Sequence, residues 1–270
     1  MTTSRHNPWP RFAVASAAIL AALIAFAALS PLMAPHAADA LDLAHRRAAP
    51  SMSHWFGTDE LGRDLLTRVL FGARISLAIG LVSATVSVAI GVAVGATAGY
   101  AGRWVDDLLM RATDAMLSVP RLPLLMIAAA VLQPSVPALI LLVGAAGWME
   151  TARVVRAEVL SIKASDFVTA ARAVGARSLR VVWRHVLPGV VPAASVATTL
   201  AIGRGILLES ALSFFGVGVQ PPTASWGNML YQAQTTMSTE PWLAVFPGAF
   251  IFLTVLCCNA LGDALGAKRR

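Results

Sequence analysis

Charged residues supply only 13% of this 270-residue chain, and hydrophobic ones 57%. So little polar surface cannot cover a water-soluble globule of this length, and a mean hydropathy of +0.70 points to a multi-span membrane protein. Cysteine is nearly missing. Cys257 and Cys258 are neighbours in a late apolar run, with no third or fourth cysteine and no histidine nearby, so neither a disulfide framework nor a zinc site follows. His6, His36, His45, His54 and His185 are scattered along the chain, and no metal cluster is expected of them. There is no Gly-x-x-x-x-Gly-Lys-Ser/Thr loop to cradle nucleotide phosphates, no Ser/His/Asp set and no credible carboxylate pair. The chain is therefore read as neither ATPase nor hydrolase, with no catalytic, cofactor-binding or metal-ligating residue of its own. A net charge of +7 suits either nucleic acid or basic membrane loops. The placement of the charges decides for the loops, and nucleic acid is not expected as a partner.

Hydropathy lays out the spans. Phe12 to Leu29 is an unbroken apolar run after a short basic start; with Pro31 to Met33 it reaches the roughly 17 to 25 residues a span needs. A cleaved signal peptide is the alternative. Residues 34–74 balance acidic and basic side chains, as an external segment does, and 61–71 reads as a short amphipathic helix leading into a second span over 75–100. There Ser83, Ser87, Gly91, Gly95 and Gly99 recur at every fourth position, a ridge of small residues by which membrane helices approach one another closely.

A third helix is expected over 107–132, with Asp107, Arg111 and Asp114 paired along one face and a kink at Pro120 and Pro123 around Arg121. A turn over 133–137 leads to a fourth span over 138–155, with Glu150 near its inner end as an interfacial residue. Then come Arg153, Arg156, Lys163, Arg172, Arg177, Arg180 and Arg184 against Glu158 and Asp166, a basic excess that places this loop in the cytoplasm. A fifth span covers 188–210, with Arg204 and Glu209 toward its outer half, five apart and so on different faces. Residues 211–241 form a second external segment, in which Phe214, Phe215, Trp226, Tyr231 and Trp242 are candidates for interfacial aromatics. A sixth span over 243–261 ends before Lys268-Arg269-Arg270. The fold class expected is all-α and polytopic, with six transmembrane helices and both termini cytoplasmic. Its parts are 1–33 (tail and first span), 34–74 (external segment), 75–264 (five-helix core, with a loop at 156–187) and 265–270 (basic tail).

Between spans four and five lies a basic insert, Ser165 to Pro188. Phe167, Ala170, Ala171 and Val174 recur as the apolar stripe of a short amphipathic helix, with Asp166 at its positive N-terminal end. Arg172 and Arg177 lie off that stripe, and Gly175 permits the left-handed conformation in which helices commonly end. From spacing alone this is either a helix lying on headgroups or one that docks a partner.

The run Ala-Ala-Arg-Ala-Val-Gly-Ala at 170–176, followed by His185-Val186-Leu187-Pro188, resembles the "EAA" loop of the membrane subunits of binding-protein-dependent ABC importers. His54-Trp55-Phe56-Gly57-Thr58-Asp59-Glu60-Leu61-Gly62-Arg63-Asp64, Gly72 to Leu77, Val154 to Leu160, Leu212 to Pro222, Ser225 to Met229 and Asn259 to Asp263 are similar, in order, to segments of the dipeptide/oligopeptide/nickel permeases, in their second-permease or C-type branch. The resemblance spans about His54 to Asp263. It implies a permease subunit of the bacterial inner membrane for peptides, nickel or a metal chelate, forming half of a pore. It also implies a homologous second permease, two ATPase subunits that bind ATP and Mg, an external binding protein and, within 211–241, a re-entrant or surface helix. By that resemblance Asp166, Phe167, Ala170, Ala171, Arg172, Val174 and Gly175 couple to the ATPase. Thr169 stands where the family usually has an acidic residue, so a salt bridge from that position is not expected.

Arg121, Arg204 and Glu209 are candidates for the translocation path, because ionisable groups at membrane depth face a cavity or a partner rather than lipid. The rival reading is an ion-gradient-driven carrier. Such carriers rely on intramembrane ionisable groups and broken helices, often in repeated halves, and no internal repeat is visible here.

Overall fold

The computed structural model describes residues 11–132 and 135–267, which are almost entirely helical. His6, residues 133–134 of the expected turn and the basic 268–270 lie outside them. α1 (Arg11–Met33) is an apolar helix of 23 residues, about 35 Å long and sufficient for a hydrocarbon core of about 30 Å. An irregular segment with one 3₁₀ turn at Leu43–His45 leads into α2 (Leu65–Ala101). Asp64 caps α2 by accepting from the Thr67 amide at 2.8 Å. The separate amphipathic helix expected over 61–71 is in fact the first turns of α2. No proline interrupts 65–101, so hydrogen bonding propagates through 37 residues, about 55 Å.

The third helix is broken where a kink is expected. α3 (Arg103–Ser118) and α4 (Arg121–Leu132) meet at 81°. Val119, forced out of the helical region by Pro120, is extended at φ −82°, ψ 126°. Pro123 falls in the first turn of α4, where a missing amide hydrogen breaks no helical bond. The fourth span is also bent: α5 (Val136–Ala145) and α6 (Trp148–Lys163) meet at 42°, with Gly147 at the joint. α7 (Asp166–Ala173) is the short basic helix. α8 (Ser178–Val181), a π-type turn over Val182–Val186 and α9 (Leu187–Phe214) run on as one apolar helix of 37 residues. The widened turn lies where Pro188 withholds its amide hydrogen. α10 (Trp226–Ala233) is short and α11 (Trp242–Ala267) long and apolar. Four helices are long and apolar enough to cross a membrane, and six spans result if each bent pair counts as one.

α2 is the hub, packing against α6, α9, α5 and α1, while α11 lies on α9, α1 and α10. The small-residue ridge of Ser83, Ser87, Gly91, Gly95 and Gly99 is buried throughout: Gly91, Gly95 and Gly99 make the seam with α6, while Ser83 meets Gly144 of α5 and Gly205 of α9 and Ser87 meets Gly147. A Cβ added at Gly91 would sit 2.6 Å from Thr151 Cβ, and one at Gly99 2.9 Å from Val159 Cβ. With no hydrophobic drive between helices in lipid, such close approach gains the dispersion contacts that hold them together.

Candidate functional site

At one end of the bundle the chain builds a projecting knob. Val168 of α7 is fully buried with Val155, Val159, Val181, Val186 and Val190. The expected stripe points the other way: Phe167 is 55% exposed and Val174 86%, Ala170 is exposed and Ala171 half-buried. The helix therefore docks on its own subunit through one valine and leaves its apolar face bare. Its end is a Schellman motif. Gly175 is left-handed at φ +86°, its amide donates to Arg172 O and the Ala176 amide to Ala171 O, each at 3.0 Å. A side chain at Gly175 would touch nothing within 4 Å. Asp166 and Arg172 lie at the first and last turns, where their charges suit the helix dipole. Thr169 hydrogen-bonds back to Ser165 O at 3.2 Å.

Tyr100, at the last turn of α2, holds the knob in place and was not anticipated from the sequence. Its hydroxyl donates to Ser178 O at 3.1 Å, its carbonyl accepts from Lys163 Nζ at 2.7 Å, and the Arg172 guanidinium lies 5.8 Å from its ring. One aromatic thus gathers the ends of α2, α6, α7 and α8. A tyrosine in a row of small residues marks this position in the sequence, but only the fold shows what it reaches. Nearby, Arg156 makes a two-armed pair with Asp106, 2.6 Å on each arm, joining α6 to α3. The expected Asp107–Arg111–Asp114 row holds only for Asp107 and Arg111, at 3.0 Å. Asp114 turns instead to Arg153 of α6.

A cavity of about 560 Å³ opens between α6 and α9, lined by Glu150, Thr151, Val154, Val196, Ala197 and Arg204 among others. Glu150 bridges two arginines: Arg121 Nη2 lies 3.1 Å from Oε1, and Arg204 pairs with Oε2. From Lys163 at the end of α6 back to Glu150 is about 20 Å along the helix. The three side chains come from α4, α6 and α9 and are partly exposed, at 22%, 41% and 37%. Arg204 is the cation on the cavity wall, beside Glu150 and Glu158, while Arg121 reaches Glu150 from the small neighbouring pocket under α2 that Arg204 also lines.

Glu209 is not part of this cavity. It is 1% exposed and accepts from Ser76 Oγ at 3.0 Å and Ser213 Oγ at 2.8 Å. Ser76 Oγ also accepts from the Trp226 amide at 3.1 Å, so Glu209 ties α9 to α2 and α10. Trp226 is likewise no interfacial aromatic: it is fully buried, and its Nε1 donates to Val69 O at 3.1 Å. At the same end Asp59 accepts from the Leu61 and Arg63 amides at 2.9 and 3.0 Å and from Arg63 Nε at 2.7 Å. Phe56 stacks on Phe246 of α11 at 3.9 Å. The histidines are not all scattered either: His36 and His54 come together with Asp64, one ligand atom of each lying within 4.8 Å of the others.

Residues 91–270 match the sequence family described as binding-protein-dependent transport system inner membrane component. The chain is 38% identical to the dipeptide transport system permease protein of Bacillus subtilis, over 94% of this chain and 80% of the relative. It is 40% identical to the glutathione transport system permease protein of Escherichia coli, over 97% and 89%. Among solved structures, an inward-facing conformation of the MetNI methionine ABC transporter superposes with a TM-score of 0.58 at 19% identity. That match covers 74% of this chain and 97% of the other, and shows a shared fold.

Proposed function

This chain belongs to the family of binding-protein-dependent transport system inner membrane components, and from that membership we propose that it is one half of the membrane pore of an ATP-driven peptide importer. As a multi-pass inner-membrane protein it crosses the bilayer six times, each bent pair forming one span, with both termini and α7 in the cytoplasm. A homologous permease completes the pore, two ATPase subunits bind ATP and Mg²⁺, and an external binding protein delivers cargo. The chain itself contributes no nucleotide site. The observation that carries this reading is the bare stripe on a firmly anchored α7. A helix gripped by Val168 and Tyr100 but uncovered at Phe167, Ala170 and Val174 transmits force from whatever covers it, and α6 and α8–α9 leave it on either side as levers.

Peptides, glutathione included, are the cargo supported by the relatives' names, and one cation on the cavity wall, Arg204, offers a place for such a cargo's anionic end. A peptide brings a carboxylate. Arg204 can turn from Glu150 to that group while Arg121 keeps Glu150, so neither carboxylate is left without a cation and entry does not bear the full cost of desolvating an ion. The test is a gentle detergent pull-down of the parent and of Gly175→Trp from the native membrane. Because Gly175 is exposed and φ-positive, the variant strains only the end of α7, by about 1–2 kcal/mol. ATPase subunits and a second permease are expected with the parent, and the ATPases are expected to be lost from the variant. A chain that comes out alone overturns the reading.

A further inference from the structure

The cluster of His36, His54 and Asp64 lies at the end of the bundle opposite α7, beside the cap of α2. The sequence separates these residues widely, yet His54 Nδ1 is 3.0 Å and His36 Nδ1 3.9 Å from Asp64 Oδ1. The two imidazoles stack with centroids 4.9 Å apart and planes 28° apart. Three ligand atoms held tetrahedrally at about 2.0–2.1 Å from one ion lie roughly 3.3 Å from one another. The observed spacings bracket that value, so small side-chain rotations would close the site.

We propose that His36, His54 and Asp64 form a binding site for a divalent transition-metal ion of the Zn²⁺ or Ni²⁺ class. Two imidazoles and a carboxylate favour such borderline ions over Mg²⁺ or Ca²⁺, which prefer all-oxygen shells. The support is graded as a site requires. The Asp64 side chain is 2% exposed and that of His54 11%, while that of His36 is 40% exposed, leaving a way in from solvent and a coordination position open to water. Asp64 is further fixed by Oδ2, which accepts from the Thr67 amide at 2.8 Å, so its Oδ1 points at the histidines without mobility of its own. His45 flanks the cluster, its ring 6.3 Å from that of His54 and its Nδ1 held by Asp42 at 2.7 Å. An ion here would tie the start of the irregular segment, at His36, to the first turn of α2. It would thereby set the shape of the surface between α1 and α2.

The experiment uses the untagged full chain in lipid nanodiscs, metal-stripped and titrated with Zn²⁺, with bound metal counted by mass spectrometry. Co²⁺ serves as a spectroscopic substitute. One saturable Zn²⁺ per chain and a Co²⁺ absorption band from nitrogen–oxygen coordination are expected. His36→Ala, a partly exposed change that leaves the α2 cap intact, is expected to weaken binding at least ~10-fold, the loss seen when even outer partners of a metal site are removed. His185→Ala, on α9's lead-in turn at the other end, is expected to bind as the parent does. Excess Mg²⁺ is not expected to compete. Absence of saturable Zn²⁺ binding, or equal binding by the parent and His36→Ala, overturns the proposal. His54→Ala supplies a second check, since it removes the other imidazole: a parental affinity there also overturns it.

Discussion

Truncating Phe167 to alanine separates docking from folding. Among the described residues the Phe167 ring has one aromatic neighbour, His185, at a centroid distance of 5.8 Å, and Phe167 is 55% exposed. A phenylalanine side chain carries roughly 200 Å², so about 110 Å² remains for a partner to cover. At about 25 cal/mol per Å² that area is worth up to about 2.7 kcal/mol. Since each 1.4 kcal/mol is about tenfold in affinity, the ATPase subunit should bind Phe167→Ala up to about 100-fold more weakly. Alanine keeps its Cβ, so the true loss falls somewhat below this ceiling. The thermal midpoint of the isolated chain should barely move. Val168→Ala is the converse: two methyl groups leave a fully buried site, and about 2 kcal/mol of stability goes with them. The assay is titration of purified ATPase subunit onto nanodisc-embedded permease, with melting curves of the same preparations. Parental affinity in Phe167→Ala would refute the stripe as a docking surface. An early melt in that variant would make Phe167 part of this chain's own core.

Two other substitutions probe the seam and the cavity. Gly95→Leu puts a Cβ 2.9 Å from Val155 Cβ and closer still to the Ala152 carbonyl, so α2 and α6 must separate. Overpacking of this kind costs about 1–3 kcal/mol, and the variant is expected to accumulate poorly and melt early; transport and yield like the parent's would contradict the seam. Arg204→Gln removes one of the two cations beside Glu150 and is expected to lower uptake of free-acid dipeptides relative to their C-terminal amides by about tenfold, the low end of a hydrogen bond to a charged group. An equal loss for acids and amides would make Arg204 a packing residue.

Features encoded by local spacing were legible in the sequence. The ridge at Ser83, Ser87, Gly91, Gly95 and Gly99 depends only on helical periodicity, and burial of all five follows. Gly175 ends its helix because the left-handed position needs no information from elsewhere in the chain. The break before Pro120 was half legible: the pre-proline restriction is local, but whether the chain kinks or turns through 81° depends on what it packs against. Long-range pairings were hidden. Nothing near Glu150 announces Arg204, and nothing local marks the continuation of α6 to Lys163. Trp226 has the composition of an interfacial aromatic, yet an acceptor at Val69 O and space beside Ser76 allow its burial. His36, His54 and Asp64 meet only because the segment between them folds back on the start of α2.

The most direct test of the account is uptake of a labelled dipeptide into proteoliposomes holding this chain with its partner permease, ATPase subunits and binding protein. Uptake is expected to require ATP and the binding protein, and to continue at an undiminished rate when ionophores collapse every ion gradient. Uptake that proceeds without ATP and stops with the ionophores would contradict the account and identify a gradient-driven carrier.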